Sequence, residues 1–222
     1  MIRLRNLLLP SVVMLLGALL ASQAEAQSRG LRRGSFLGIA GAEQVQKELK
    51  FSEEETEKIK KLSETLRKEM GEKYAELRKI EDSEERHDKM HEMRDAFEEK
   101  ARKGIHEVIT DKRMIRIYQI RLQLRGDLFG LNHKWIAGQL KLSDEVKKKL
   151  AELDKATHDK VSEAYSGIRE LKEEERRKKW GEIREKIGKI RAEANKAAVA
   201  MLDDEQKKKY EGFKGEEFKI AE

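Results

Sequence analysis

Leu49-Lys50-Phe51-Ser52-Glu53-Glu54 returns as Leu140-Lys141-Leu142-Ser143-Asp144-Glu145, 91 positions later. Each copy places an apolar anchor and a serine ahead of acidic residues, which is the pattern of a helix N-terminus: the serine caps, and the acids face the positive end of the helix dipole. In the first copy Glu55 stands three residues after Ser52, which completes a capping box. Downstream of it, Ile59, Leu62, Leu66, Met70, Tyr74, Leu77 and Ile80 recur every three or four residues, one stripe of a long helix. The outer face carries acid-before-base pairs at i,i+4, such as Glu54–Lys58 and Glu69–Lys73.

The match extends beyond the caps. At the same offset Ile59 meets Leu150, Met70 meets Val161, and Tyr74 meets Tyr165. Past the polar break at Asp82-Ser83, the stripe Met90, Met93, Phe97, Ala101, Ile105, Val108 begins a second helix. From there the offset is 93, so that Met90 meets Ile183, Phe97 meets Ile190, and Ile109-Thr110-Asp111 meets Leu202-Asp203-Asp204. These correspondences predict an all-α chain of two tandem units, 42–130 and 131–222. Each is a long antiparallel helical hairpin with short flanking helices. Residues 27–41, rich in Gly, Ser and Arg, read as a flexible tail.

Composition agrees and excludes. The 222 residues are 41% charged and 5% aromatic, with one proline, Pro10, and no cysteine. A chain without cysteine has no disulfide, thiolate metal site or cysteine nucleophile. The 49 basic residues nearly cancel 43 acidic ones, and the apolar residues are periodic, which separates the chain from disordered polyelectrolytes. At the N-terminus, Arg3 and Arg5 precede an apolar run from Leu7 to Ala21, followed by Ala24-Glu25-Ala26. This has the form of an export signal over residues 1–26, cleaved after Ala26. The remaining chain has no stretch long and apolar enough for stable membrane insertion. The expected location is the periplasm or cell envelope.

Leu202-Asp203-Asp204-Glu205-Gln206 resembles the L-T-x-x-Q motif of the Spy/CpxP group of exported bacterial proteins. Ile109-Thr110-Asp111-Lys112-Arg113 is a more divergent copy, and the segments opening at Ser52 and Ser143 resemble the earlier copy in that family. The resemblance implies a thin, curved, cradle-like helical layer. It also implies a non-enzymatic role, as an ATP-independent chaperone or an envelope-stress regulator that binds unfolded or partner proteins. Members of the group dimerise, so two units in one chain imply a homodimer or an intrachain pseudo-dimer. The residues carrying the motif are Ser52, Thr110, Ser143, Asp203 and Gln206.

The candidate contact surface for clients or partners is Met90, Met93, Phe97, Ile183, Ile187 and Ile190. A two-helix layer is too thin to cover both sides of every apolar residue, and methionine suits adaptable surfaces. A different possibility is a metal-binding or metal-sensing protein: His87 and His91, at i,i+4, share a helix face on which imidazoles chelate a divalent transition metal. A third is a structural helical spacer. The basic residues alternate with acids and lack interleaved aromatics, the pattern of a solvated surface and not of a nucleic-acid platform. No nucleophile elbow, phosphate loop, dinucleotide glycine motif or calcium loop is present, and no cofactor is expected.

Overall fold

A computed structural model describes residues 31, 34–166, 168 and 171–220, apart from the side chains of Ser83, Glu84, His87 and Lys178. The export signal expected over 1–26 lies outside the described residues. Among those described, 81% are helical and none is in a strand. The chain forms two compact units, the first reaching Leu124 and including Phe218 onward, the second spanning Arg125–Glu217.

Unit 1 contains α1 (Phe36–Ala40), α2 (Glu43–Glu48), α3 (Glu53–Leu77), α4 (Ser83–His106) and α5 (Asp111–Arg125). Helices α3 and α4 form the hairpin, with Asp82 capping α4 by accepting from the Glu85 N–H at 2.7 Å. Ile39, Val45, Ile59, Ile105, Ile117 and Ile120 are each at most 1% exposed and form the centre of the core. Side chains of this kind contribute about 1.5–3 kcal/mol apiece when fully buried. Three arginines of α5 tie it to the other helices: Arg113 to Glu55 of α3, Arg116 to Glu48 of α2, and Arg121 to Glu98 of α4.

Residues 34–41, part of the stretch 27–41 read as a flexible tail, carry α1. Ser35 caps α1, its Oγ accepting from the Gly38 N–H at 3.0 Å. Phe36, Ile39 and Ala40 are buried, and Phe36 lies edge-on to Tyr118 with the Arg121 guanidinium over its ring. Glycine, serine and arginine set the composition of the stretch, but the apolar i, i+3, i+4 spacing of three residues decides its structure.

Unit 2 contains α6 (Asp127–Asn132), α7 (Lys134–Gln139), α8 (Asp144–Tyr165), α9 (Glu173–Ala200) and α10 (Asp204–Lys214). Helices α6, α7 and α8 start 91 residues after α1, α2 and α3, and α10 starts 93 after α5. The contacts follow the same order: α1 packs on α3 and α4, and α6 packs on α8 and α9. Two short helices precede the hairpin in each unit. Leu131, Leu150, Ala198 and Tyr210 are fully buried. Gly126, with φ +87°, precedes α6 where a Cβ would meet the Asn195 amide at 2.6 Å. In place of a serine cap, Asn195 Oδ1 accepts from the Leu128 N–H at 3.0 Å.

Candidate functional site

The cap motif is a junction between helices as well as a start signal. Asp203 and Gln206 form a reciprocal capping box: the Gln206 N–H donates to Asp203 at 2.7 Å, and the Asp203 N–H donates to Gln206 Oε1 at 3.1 Å. The other end of the Gln206 amide donates through Nε2 to the Leu140 carbonyl at 3.2 Å, at the C-terminus of α7. A glutamine is the residue type that accepts and donates in this way, which gives the last position of the motif its physical content. In unit 1, Arg113 occupies the matching place and reaches Glu55 with two bonds, at 2.8 and 2.5 Å. Glu55 completes its own capping box with Ser52, so one carboxylate serves both the start of α3 and the attachment of α5. Hydrogen bonds from Arg113 and from the Ser52 backbone hold the Glu55 carboxyl down at about 2. Ser143 caps α8 through the Val146 N–H at 3.2 Å. Thr110 opens α5, its carbonyl accepting from Met114 and its hydroxyl from Arg113 Nε at 3.4 Å.

The residues singled out as a contact surface divide by depth. Met93, Phe97 and Ile187 are buried, the first two within the core of unit 1. Met90, Ile183 and Ile190 are half-buried. Periodicity identifies the inward stripe of a helix, and at the base of each unit the short helices cover that stripe. Away from the base the covering thins. Met70, Tyr74, Leu77 and Met90 in unit 1 and Val161 and Ile183 in unit 2 keep one flank open. The charged residues beside this seam include one bridge between the helices, Lys100 with Glu69 across the hairpin at 2.6 Å, while Lys73 pairs with Glu76 along α3 itself.

The hairpin end of unit 2 also holds a pocket of about 420 Å³ lined by Ser162, Tyr165, Ile168, Arg176 and Trp180. Tyr165 and Trp180 meet edge to face at 5.8 Å, and Arg176 donates to the Leu171 carbonyl at 3.0 Å. Sequence reasoning did not single out this pocket. Ile115 and Trp135, each 58% exposed, are the most open large apolar side chains described.

His91 is exposed on α4, and the side chain of His87 lies outside the described residues. Among the described residues, no three His, Asp or Glu side chains gather to hold a metal ion. His106 lies 2.6 Å from Asp111 at the α4–α5 turn. Among the same residues, no helix is long and apolar enough to cross a membrane.

No family model, no curated protein and no solved structure matches the chain.

Proposed function

We propose that the chain is a non-enzymatic, exported protein, similar to the Spy/CpxP group, that transiently holds unfolded or partner proteins without nucleotide. The observation that carries this reading is the half-covered seam of each hairpin. Met70, Tyr74, Leu77 and Met90 are too covered to aggregate freely and too open to count as core. Methionines in such a seam adapt to varied apolar segments at small cost. The charged residues along its edges keep the protein soluble and draw oppositely charged segments from a distance. The degenerate cap motifs and the basic–apolar N-terminus support the family resemblance and the export route.

The test is suppression of aggregation of a denatured substrate by stoichiometric mature protein, residues 27–222, without nucleotide. Light scattering should fall in proportion to the protein added. Unchanged scattering, together with tight binding of Zn or Cu that His87→Ala abolishes, would replace this reading with the metal-binding one. Inactivity in both assays would leave the helical spacer.

A further inference from the structure

We infer that the face of unit 1 holding residues 218–220 is a docking groove for extended protein segments with apolar residues two apart, occupied at rest by the chain's own tail. The inference rests on the client-holding reading and assigns it a site. Helix α10 stops at Lys214, where Gly215 takes φ +65°. The chain then runs without helix, and Phe218 and Ile220 pack against the core of unit 1 while Lys219 between them is exposed. Burial thus alternates along the tail, half-buried at Phe218 and Ile220 and exposed at Lys219, the period of two of an extended segment, so that one apolar edge faces unit 1.

Two glutamine amides hold its main chain. The Phe218 N–H donates to Gln123 Oε1 at 2.7 Å, and Gln44 Nε2 donates to the Lys219 carbonyl at 3.1 Å. Main-chain bonds of this kind are available to any residue, while alternate apolar pockets supply selection. The groove therefore accepts extended backbone with an apolar-x-apolar pattern and is indifferent to the rest, as a holder of unfolded chains requires. Both anchors are only half-buried, so the tail leaves at a smaller cost than a core residue would. The amide pair is particular to unit 1: at the matching positions unit 2 carries Trp135, which packs on Phe213 at 5.4 Å, and Glu216. A tethered tail competes at an effective concentration of order millimolar, so a free segment binds in proportion to the open fraction.

The test uses the mature chain. Because it has no cysteine, Glu222→Cys gives a single site for a fluorophore. An excess of a synthetic peptide of residues 216–222 should displace the tail and lower the label's anisotropy; the same peptide with serine at both anchors should not. In a second arm, the F218S/I220S chain should bind the labelled peptide at least tenfold more tightly than the intact chain does. Adding Gln44→Ala and Gln123→Ala should cost several-fold of that affinity. If neither peptide moves the tail at millimolar concentration, or both move it alike, the groove is a structural contact and the inference is overturned. Because this arm uses the intact tail, it decides the matter even if the F218S/I220S chain fails to fold. Displacement of the tail without suppression of aggregation by the intact or F218S/I220S chain would keep the groove and refute the client-holding function. Suppression that saturating peptide leaves unchanged would keep the function and refute this site.

Discussion

Lys50 and Lys141 both hold left-handed backbone, with φ of 53° and 50°, at places 91 residues apart. Each closes a short helix with the same pair of bonds. Lys50 N–H donates to the Lys47 carbonyl and Phe51 N–H to that of Gln46, while Lys141 N–H donates to Gly138 and Leu142 N–H to Ala137. This is a Schellman ending, where glycine is the usual residue. A non-glycine residue there costs roughly 1–2 kcal/mol of steric strain. Lys50→Gly and Lys141→Gly should therefore each stabilise their unit by about 0.5–1 kcal/mol, after the entropy that glycine adds to the unfolded chain. Urea denaturation of the two variants is the check, and a loss of stability in either would contradict the strain argument.

The Glu55–Arg113 pair should give part of unit 1's stability a distinct acid limit. Glu55 falls from 4.5 to about 2 in the folded chain. The unfolded chain thus takes up this proton more readily. The contribution is complete above about pH 4.5 and fades as pH falls toward 2. Both side chains retain about a fifth of their exposure, so solvent screening limits the coupling to about 1 kcal/mol. Glu55→Gln preserves the capping box, as Gln206 does beside Asp203, while removing the charge. A double-mutant cycle with Arg113→Gln, measured by denaturation at pH 7 and pH 2.5, should show coupling at the first and little at the second.

Gly126 and Asn195 should behave as a coupled pair. Gly126→Ala places a methyl against the Asn195 amide at a positive φ and should cost about 2 kcal/mol. Asn195→Ala removes the bond to the Leu128 N–H and should cost about 1 kcal/mol. The double variant should lose less than the sum, because removing the amide relieves the clash but not the backbone strain. Strict additivity in thermal denaturation would show that the close contact carries no energy.

The seam and the core should separate under polar substitution. Met93→Ser and Phe97→Ser are core changes and should cost about 2–4 kcal/mol. Met70→Ser and Met90→Ser open a surface already half exposed and should cost under about 1.5 kcal/mol while reducing suppression of aggregation severalfold. Salt provides a further check: the Debye length falls from about 8 Å to about 3 Å between physiological and 1 M ionic strength. Capture of an acidic client should slow by an order of magnitude, and release should change much less. Stopped-flow kinetics showing equal salt dependence in both rates would count against the two-step scheme.

The local signals were legible in the sequence and the distant ones were not. Ser52, Ser143 and Asp203 announce their helices because a cap is written within four residues. Asp82 marks the hairpin turn for the same reason. The stripe containing Met93 and Phe97 was legible as a stripe, but which part the short helices cover depends on packing that spacing does not encode. Phe36 was hidden by the polar residues around it. The tail was hidden differently: Phe218 and Ile220 follow a helix ended by Gly215, and the glutamines that bond the main chain of Phe218 and Lys219, Gln123 and Gln44, lie 95 and 175 residues earlier. The Gln206 bond to Leu140 spans 66 residues and was equally unreadable, although the motif pointed to the residue that makes it.

The return of residues 218–220 to unit 1 sets an order of events during synthesis. Unit 1 has all its helices once Arg125 is made, yet Phe218 is still 93 residues away. At about 5–20 residues per second, the ribosome takes roughly 5–20 s to supply it. Until then the face that receives Phe218 and Ile220 is bare. Closing so long a loop is also slow compared with forming the local hairpins. The first unit to be made is thus the last to be finished, and unit 2 is synthesised whole before unit 1 is complete.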